Sequence, residues 1–273
     1  MKQTSEGQAR PLVPAASAVQ HAGRYVYCVV RTSEDVSLSA VGVAGGRVYA
    51  VGYKDLRALV HDCPAQPYQS DDAEVAATWV LAHHHVVNVA WKRWGTVLPL
   101  VFNTIIRAED KSSADENLAA WLRTEYESLT QKLTALAGKS EYGAQVFWDA
   151  VAVARNAAET SPEIRQLEEE IRTKSRGLAY MYRHKLENLL KKEVETKAAE
   201  DFKDLYSRLS RCVDSIHVEK VKKGQEGLQM LMNLSCLVSP EKLPDLKAEL
   251  DRVSAAKGYV VRLVGPLPPY SFC

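Results

Sequence analysis

The chain has 273 residues, 46% of them hydrophobic and 25% charged, which is the make-up of a globular protein and excludes a fibrous or low-complexity one. Lys plus Arg total 35 against 34 acidic residues, so the net charge of +1 supplies no global attraction to nucleic acid or to an anionic membrane. The cysteines, Cys28, Cys63, Cys212, Cys236 and Cys273, are odd in number and form neither a CxxC pair nor a Cys/His metal spacing. That argues for reduced thiols in a cytoplasmic protein rather than a disulfide framework.

Residues 1–22 hold only a short, proline-broken apolar patch and are expected to form a disordered tail with no export signal. Residues 24–31 (RYVYCVVR) are β-branched and aromatic, and Gly45-Gly46 leads into 47–52 (RVYAVG); both read as strands. Residues 56–61, reached through a turn at 53–55, read as a third strand of an antiparallel meander. Asp71-Asp72 can cap a helix whose apolar positions Val75, Trp79, Ala82, Val86, Val89 and Ala90 recur at helical spacing until Gly95. Residues 96–106 read as an irregular apolar stretch around Pro99. A second helix is expected over 113–137, with Leu118, Leu122, Leu129, Leu133 and Leu136 on one face and Gly138 as its stop.

This closes a first domain over 23–139, and the pattern restarts over 140–273. A strand is expected at 145–153, then a helical region from 162 to 212 that breaks into two or three helices. Strands at 215–220 and 228–238 flank a turn at 222–227. Pro240 opens a helix to Lys257, Gly258 ends it, and 259–264 is a last strand. The order is β-α-β-β-α-β, a ferredoxin-like split arrangement whose first crossover is long enough to project a helical extension. The fold class is therefore α+β, a small antiparallel sheet with helices followed by a modified ferredoxin-like unit. Within 228–238, Leu228, Met230, Met232, Leu234, Cys236 and Val238 share one face and should pack on helices.

No catalytic constellation stands out. His83-His84-His85 fans around a helix at about 100° per residue and cannot converge on one ion, and no HExxH spacing accompanies it. GxSxG, GxxxxGK[ST] and GxGxxG are absent, and the Gly42, Gly45, Gly46 cluster lies between strands, where it makes a loop. Cys63 and Cys212 would be nucleophiles only if a neighbour such as His61 lowered the thiol pKa. The basic residues between Arg172 and Lys192 are interleaved with or flanked by Glu168, Glu169, Glu170, Glu187, Glu193 and Glu195 over an apolar stripe of Ile164, Ile171, Leu178, Tyr182, Leu186 and Leu189, the pattern of an amphipathic helix with a solvated face. The C-terminal GPLPPYSF packs three prolines and two aromatics into an extended segment that either docks on its own domain or carries anchors to a partner.

Several stretches in colinear order resemble the GvpF/GvpL family of gas vesicle proteins. They are Tyr25-Val26-Tyr27, Ala82-His83 with Val86, Val97-Leu98-Pro99-Leu100 with Phe102-Asn103-Thr104, Arg176-Gly177-Leu178-Ala179-Tyr180, residues 233–238, and the closing Gly265 to Phe272. Two positions depart from the family pattern: Asn103 stands where glycine is common and Leu267 where tryptophan is common. The resemblance implies a two-domain α+β protein that catalyses no reaction, holds no cofactor or metal, and works in the cytoplasm at the gas vesicle. It also implies association with the small, very hydrophobic major shell protein, either as a minor component of the growing shell or as an assembly factor that keeps shell subunits soluble before insertion, and with other gas vesicle accessory proteins, while the balanced charge points to no nucleic acid and no membrane. A partner covering an apolar shell subunit needs apolar or aromatic surface. Candidates are the tail residues Pro266, Pro268, Pro269, Tyr270 and Phe272, the segment residues Leu98, Pro99 and Phe102, and the outer side of the helical extension.

Two other function classes suit such a fold. An RNA-binding module would carry aromatics on its central strands, and 228–238 has none. A small-molecule sensor would hold its ligand in a cleft, but no motif indicates one.

Overall fold

The computed structural model describes residues 22–34, 37–109, 111–222, 224 and 227–273. Most of the expected N-terminal tail and part of the 222–227 turn lie outside the described residues. The chain divides into two compact units, residues 1–137 with Cys273, and residues 138–272.

The first unit is built on β1 (Gly23–Arg31), whose residues Tyr25 to Val30 are all at most 1% exposed. A strand so covered on both faces must be central, and the run YVYCVV is apolar enough to be one. The sheet runs β2 (Ser37–Val41), β3 (Arg47–Tyr53), β4 (Leu56–Cys63), β1, β5 (Leu98–Pro99), with β6 (Ile105–Arg107) also pairing with β1. The expected three-stranded meander thus gains three short strands. Two of them lie in the stretch that reads as irregular, because runs of two and three residues around Pro99 carry no alternation.

Helix α1 (Ala73–Trp94) starts where the Asp72 carboxylate accepts the Glu74 and Val75 N–H groups and ends at Gly95, whose φ of 71° only glycine adopts without cost. It buries His83, Val86, Val87 and Ala90, so the inward face is rotated from the expected stripe and Val75 stays exposed. The second expected helix is two, α2 (Ala114–Thr124) and α3 (Tyr126–Leu136), joined at Glu125. A capping box between Ser113 and Glu116 opens α2, and Leu118, Leu122, Leu129, Leu133 and Leu136 are all buried.

The second unit has strand order β10-β7-β9-β8, with β7 (Ser140–Trp148), β8 (Ser215–Val218), β9 (Gln229–Val238) and β10 (Tyr259–Leu267), every pairing antiparallel. With helices between β7 and β8 and between β9 and β10, this is the connectivity of a split β-α-β unit. The strand expected at 145–153 ends at Trp148. Asp149 turns the chain, accepting the Ala152 N–H at 2.8 Å, and the alanine-rich run that follows is α4 (Ala150–Thr160). The long crossover continues as α5 (Pro162–Thr173) and α6 (Arg176–Arg211), the latter 36 residues and therefore about 54 Å long. Helix α7 (Leu243–Ala255) begins three residues later than Pro240, with Pro244 in its first turn.

On β9, Met232, Leu234, Cys236 and Val238 enter the core as expected, all at most 2% exposed. The alternation fails at the strand's start. A register shift opposite Val146 and Phe147 brings Leu231 into the core cluster and leaves Met230 only partly covered.

Candidate functional site

Val97 to Thr104 hangs on β1 at both ends. Leu98 and Pro99 pair with Val29 and Cys28, the Leu100 N–H donates to the Tyr27 carbonyl (2.9 Å), and the Val26 N–H donates to the Thr104 carbonyl (2.8 Å). Between these anchors the chain makes a tight turn, with Thr104 donating back to the Val101 carbonyl through its N–H (3.1 Å) and its hydroxyl (2.7 Å). Asn103 takes φ of 70°, the left-handed conformation that explains a glycine's suitability there and that asparagine tolerates better than most residues.

The turn is fixed from below by buried tyrosines and histidines. Tyr25 and Tyr27 project from β1 toward His83 of α1 and His61 of β4, and both imidazoles are 1% exposed. His83 Nε2 lies 3.1 Å from the Leu100 carbonyl, which can only accept, so Nε2 carries the proton and Nδ1 accepts from the Tyr25 hydroxyl at 2.9 Å. Tyr25 in turn accepts the Asn103 N–H (3.2 Å), and the Asn103 side chain exchanges two hydrogen bonds with the Tyr68 backbone. His61 bridges the hydroxyls of Tyr27 (2.7 Å) and Tyr68 (3.0 Å). Burial holds both imidazoles at about 4, and therefore neutral near pH 7. Gly42 and Gly46 make room for this network: a Cβ at Gly42 would stand 2.1 Å from the Tyr27 hydroxyl, and one at Gly46 would stand 2.3 Å from the His61 ring.

Of the three residues expected in this segment, Leu98 and Pro99 are buried, and Phe102 is half-buried with its ring edge-on to Tyr25 and His83 at 6.0 and 5.9 Å. The exposed apolar residue is Val101, at 79%. The asparagine two residues later, a residue type that tolerates left-handed backbone, is the sequence signal for the turn at whose apex Val101 sits.

In the tail, β10 runs on past the expected end at 264 to Leu267, which pairs with Glu141. Pro266 is exposed, Pro268 and Pro269 are buried, and Tyr270 and Phe272 are half-buried in a short 3-10 turn. The Ser271 N–H and hydroxyl donate to the two oxygens of Glu141, each at 2.8 Å, and the hydroxyl also lies 2.9 Å from that of Ser235. The middle of the tail is thus tied to its own sheet.

The histidine run fans as its spacing requires: His83 is buried, His84 half-buried and His85 exposed. Among the described residues no three His, Cys, Asp or Glu side chains stand where they could share a metal ion, and no helix is long and apolar enough to cross a membrane. The Cys63 thiol is pushed up to about 11 by burial, while His61 is engaged with the two tyrosines, so the pair offers no activated thiolate. A cavity of about 670 Å³ opens beside α4 and α6, lined by Trp148, Val153, Asn156, Lys197 and Tyr259. Its Lys197 is already paired with Asp201 at 2.6 Å, and Tyr259 donates to the same carboxylate.

The family model for gas vesicle synthesis protein GvpL/GvpF matches residues 23–273. Gas vesicle protein L1 of Halobacterium salinarum is 28% identical over 258 residues, covering 92% of this chain and 90% of that protein. Gas vesicle protein F of a Streptomyces species is 29% identical over 254 residues, covering 91% and 98%. The crystal structure of GvpF from an Anabaena species shares the fold, with a TM-score of 0.75 at 16% identity over 92% of this chain and 98% of that one. GvpF from Microcystis aeruginosa superposes with a TM-score of 0.65 at 15% identity over the same shares. The chain therefore belongs to the GvpL/GvpF family of gas vesicle proteins.

Proposed function

We propose that this protein acts in gas vesicle assembly by binding the hydrophobic major shell protein, without catalysing a reaction, so that the apolar surface of the shell subunit stays covered until insertion. The observation that carries this reading is Val101, 79% exposed at the apex of a turn that buried hydrogen bonds hold in one conformation. An apolar side chain on a pre-ordered loop loses little entropy on binding, which favours contact with an apolar partner. Phe102 flanks it, while Leu98 and Pro99 support the turn from inside. In the tail, Pro266 and the half-buried Tyr270 and Phe272 offer a second contact, whereas Pro268 and Pro269 are buried.

Co-purification of tagged protein with the major shell protein at about 0.1 M and 1 M salt tests the proposal, since the Debye length falls from about 10 Å to about 3 Å between them. Capture should persist at the higher salt. Val101→Asp should abolish it, and Tyr270→Ala with Phe272→Ala should weaken it if the tail contributes. Absence of capture by the parent at either salt contradicts the reading.

A further inference from the structure

The start of α6 is apolar on two sides. Ala179, Tyr182 and Leu186 are buried or half-buried and make the inward face. A surface helix with an inward apolar stripe should carry polar side chains opposite it. Here the opposite side presents Tyr180 at 72% and Met181 at 66% exposure, with Leu178 at 49% on the edge next to the inward face. At about 100° per residue, Tyr180, His184, Gly177, Met181, Lys185 and Leu178 fall in succession around the outer side. Gly177 lies in the middle of that side, and a Cβ added there would meet nothing within 4 Å. This side carries an aromatic and a methionine, residue types enriched where proteins meet, beside the polar His184 and Lys185.

Its electrostatic setting is one-sided. Between Ile171 and Leu186 the sequence carries Arg172, Lys174, Arg176, Arg183 and Lys185 and no acidic residue, with the exposed Glu187 following one turn after Arg183, in a chain whose net charge is +1. Arg183 and Lys185 are exposed and make no ion pair with any described residue. Arg172 pairs with Glu169 on its own helix, and the Lys174 ammonium lies 6.0 Å from the Tyr182 ring.

We infer that the first two turns of α6 form a docking surface for an acidic amphipathic helix of a partner protein, its apolar stripe on Leu178, Tyr180 and Met181 and its carboxylates against Arg183 and Lys185. Charge complementarity selects this occupant. A second copy of the chain would set one basic tip against another. An anionic bilayer would also face Glu168, Glu169 and Glu170, which directly precede the basic run, whereas one helix covers the tip alone. This surface belongs to the second unit, whereas Val101 belongs to the first, and it does not depend on the shell-protein reading.

Fluorescence anisotropy with the full chain and a labelled helical peptide of about 18 residues, leucine at i, i+3, i+4 and i+7 and glutamate or alanine elsewhere, tests the inference. Saturable binding is expected, weakened at least about tenfold by Tyr180→Ala with Met181→Ala, by Arg183→Glu with Lys185→Glu, and by exchange of the peptide's glutamates for lysine. Circular dichroism melts of these surface variants should match the parent. No saturable binding, or binding that the variants leave unchanged, overturns the inference. So does stronger binding to phosphatidylglycerol vesicles that the same substitutions abolish, which would assign the tip to a membrane surface. Dimerisation lost with Tyr180→Ala and Met181→Ala would assign it to self-association.

Discussion

Lowering the pH from 6.5 to 4.5 should destabilise the first unit strongly, through His61 and His83. Both are neutral in the fold, held at about 4 by burial, while in the unfolded chain they return to about 6.5. In that window the unfolded state binds protons that the folded state does not, so stability is full above 6.5 and is lost as the pH falls. Of the full contribution of about 3 kcal/mol that a difference of about 2.5 pKa units gives each histidine, about 2 kcal/mol is lost between pH 6.5 and 4.5, a large fraction of a typical domain's stability when both are counted. Protonation of His83 would also give Nδ1 a proton where it now accepts from Tyr25. His84 is shifted down by burial as well and adds in the same direction. Four of the five tryptophans, Trp79, Trp91, Trp94 and Trp121, lie in the first unit, so urea unfolding followed by tryptophan fluorescence reads this unit selectively. His61→Gln with His83→Gln should lower stability at pH 7 but flatten its dependence between 6.5 and 4.5. A parent protein equally stable at both pH values would refute the reasoning, as would a slope that survives the double substitution.

Three further outcomes are expected. Met232→Asp places a carboxylate at a position 0% exposed and should cost several kcal/mol, read as collapse of the second unit in thermal melts; an unchanged melt would mean the residue does not face the core. Asn103→Gly eases the backbone at φ of 70° but removes both side-chain bonds to Tyr68, so it should destabilise by about 1 kcal/mol in urea titrations despite the family's frequent glycine there. Ser271→Ala removes a donor to the Glu141 carboxylate and should cost about 1 to 3 kcal/mol, with faster proteolysis of the C-terminus; no change would mean that the tail is not held by this bond.

Where the sequence was legible, the signal was local. The Asp72 cap and Gly95 stop bound α1 to the residue, and the fan of the three histidines follows from helix geometry alone. The inward face of β9 could be read from Met232 to Val238 by period two, up to the register shift that no single-strand pattern announces. The strand expected over 145–153 stops at Trp148, because Ala150, Ala152 and Ala154 favour helix and the Asp149 cap starts one there. The candidate site was harder to read because its determinants are distant in the chain. Tyr25 meets His83 across 58 positions and Tyr27 meets His61 across 34, so neither histidine could be recognised as a support for the Val101 turn. The tail shows the same limit: its prolines and aromatics announce an extended segment, but only the contact from Ser271 to Glu141, 130 positions apart, shows that its centre faces inward.

The central claim, that this protein keeps the hydrophobic shell subunit from aggregating, is tested most directly by turbidity. Major shell protein diluted from denaturant should scatter light as it aggregates, and an equimolar amount of this protein should suppress that scattering at both 0.1 M and 1 M salt, roughly the range over which the Debye length falls from about 10 Å to about 3 Å. Val101→Asp, melting as the parent does, should fail to suppress it. Aggregation that proceeds unchanged with the parent protein present, or suppression equal for parent and variant, would contradict the account.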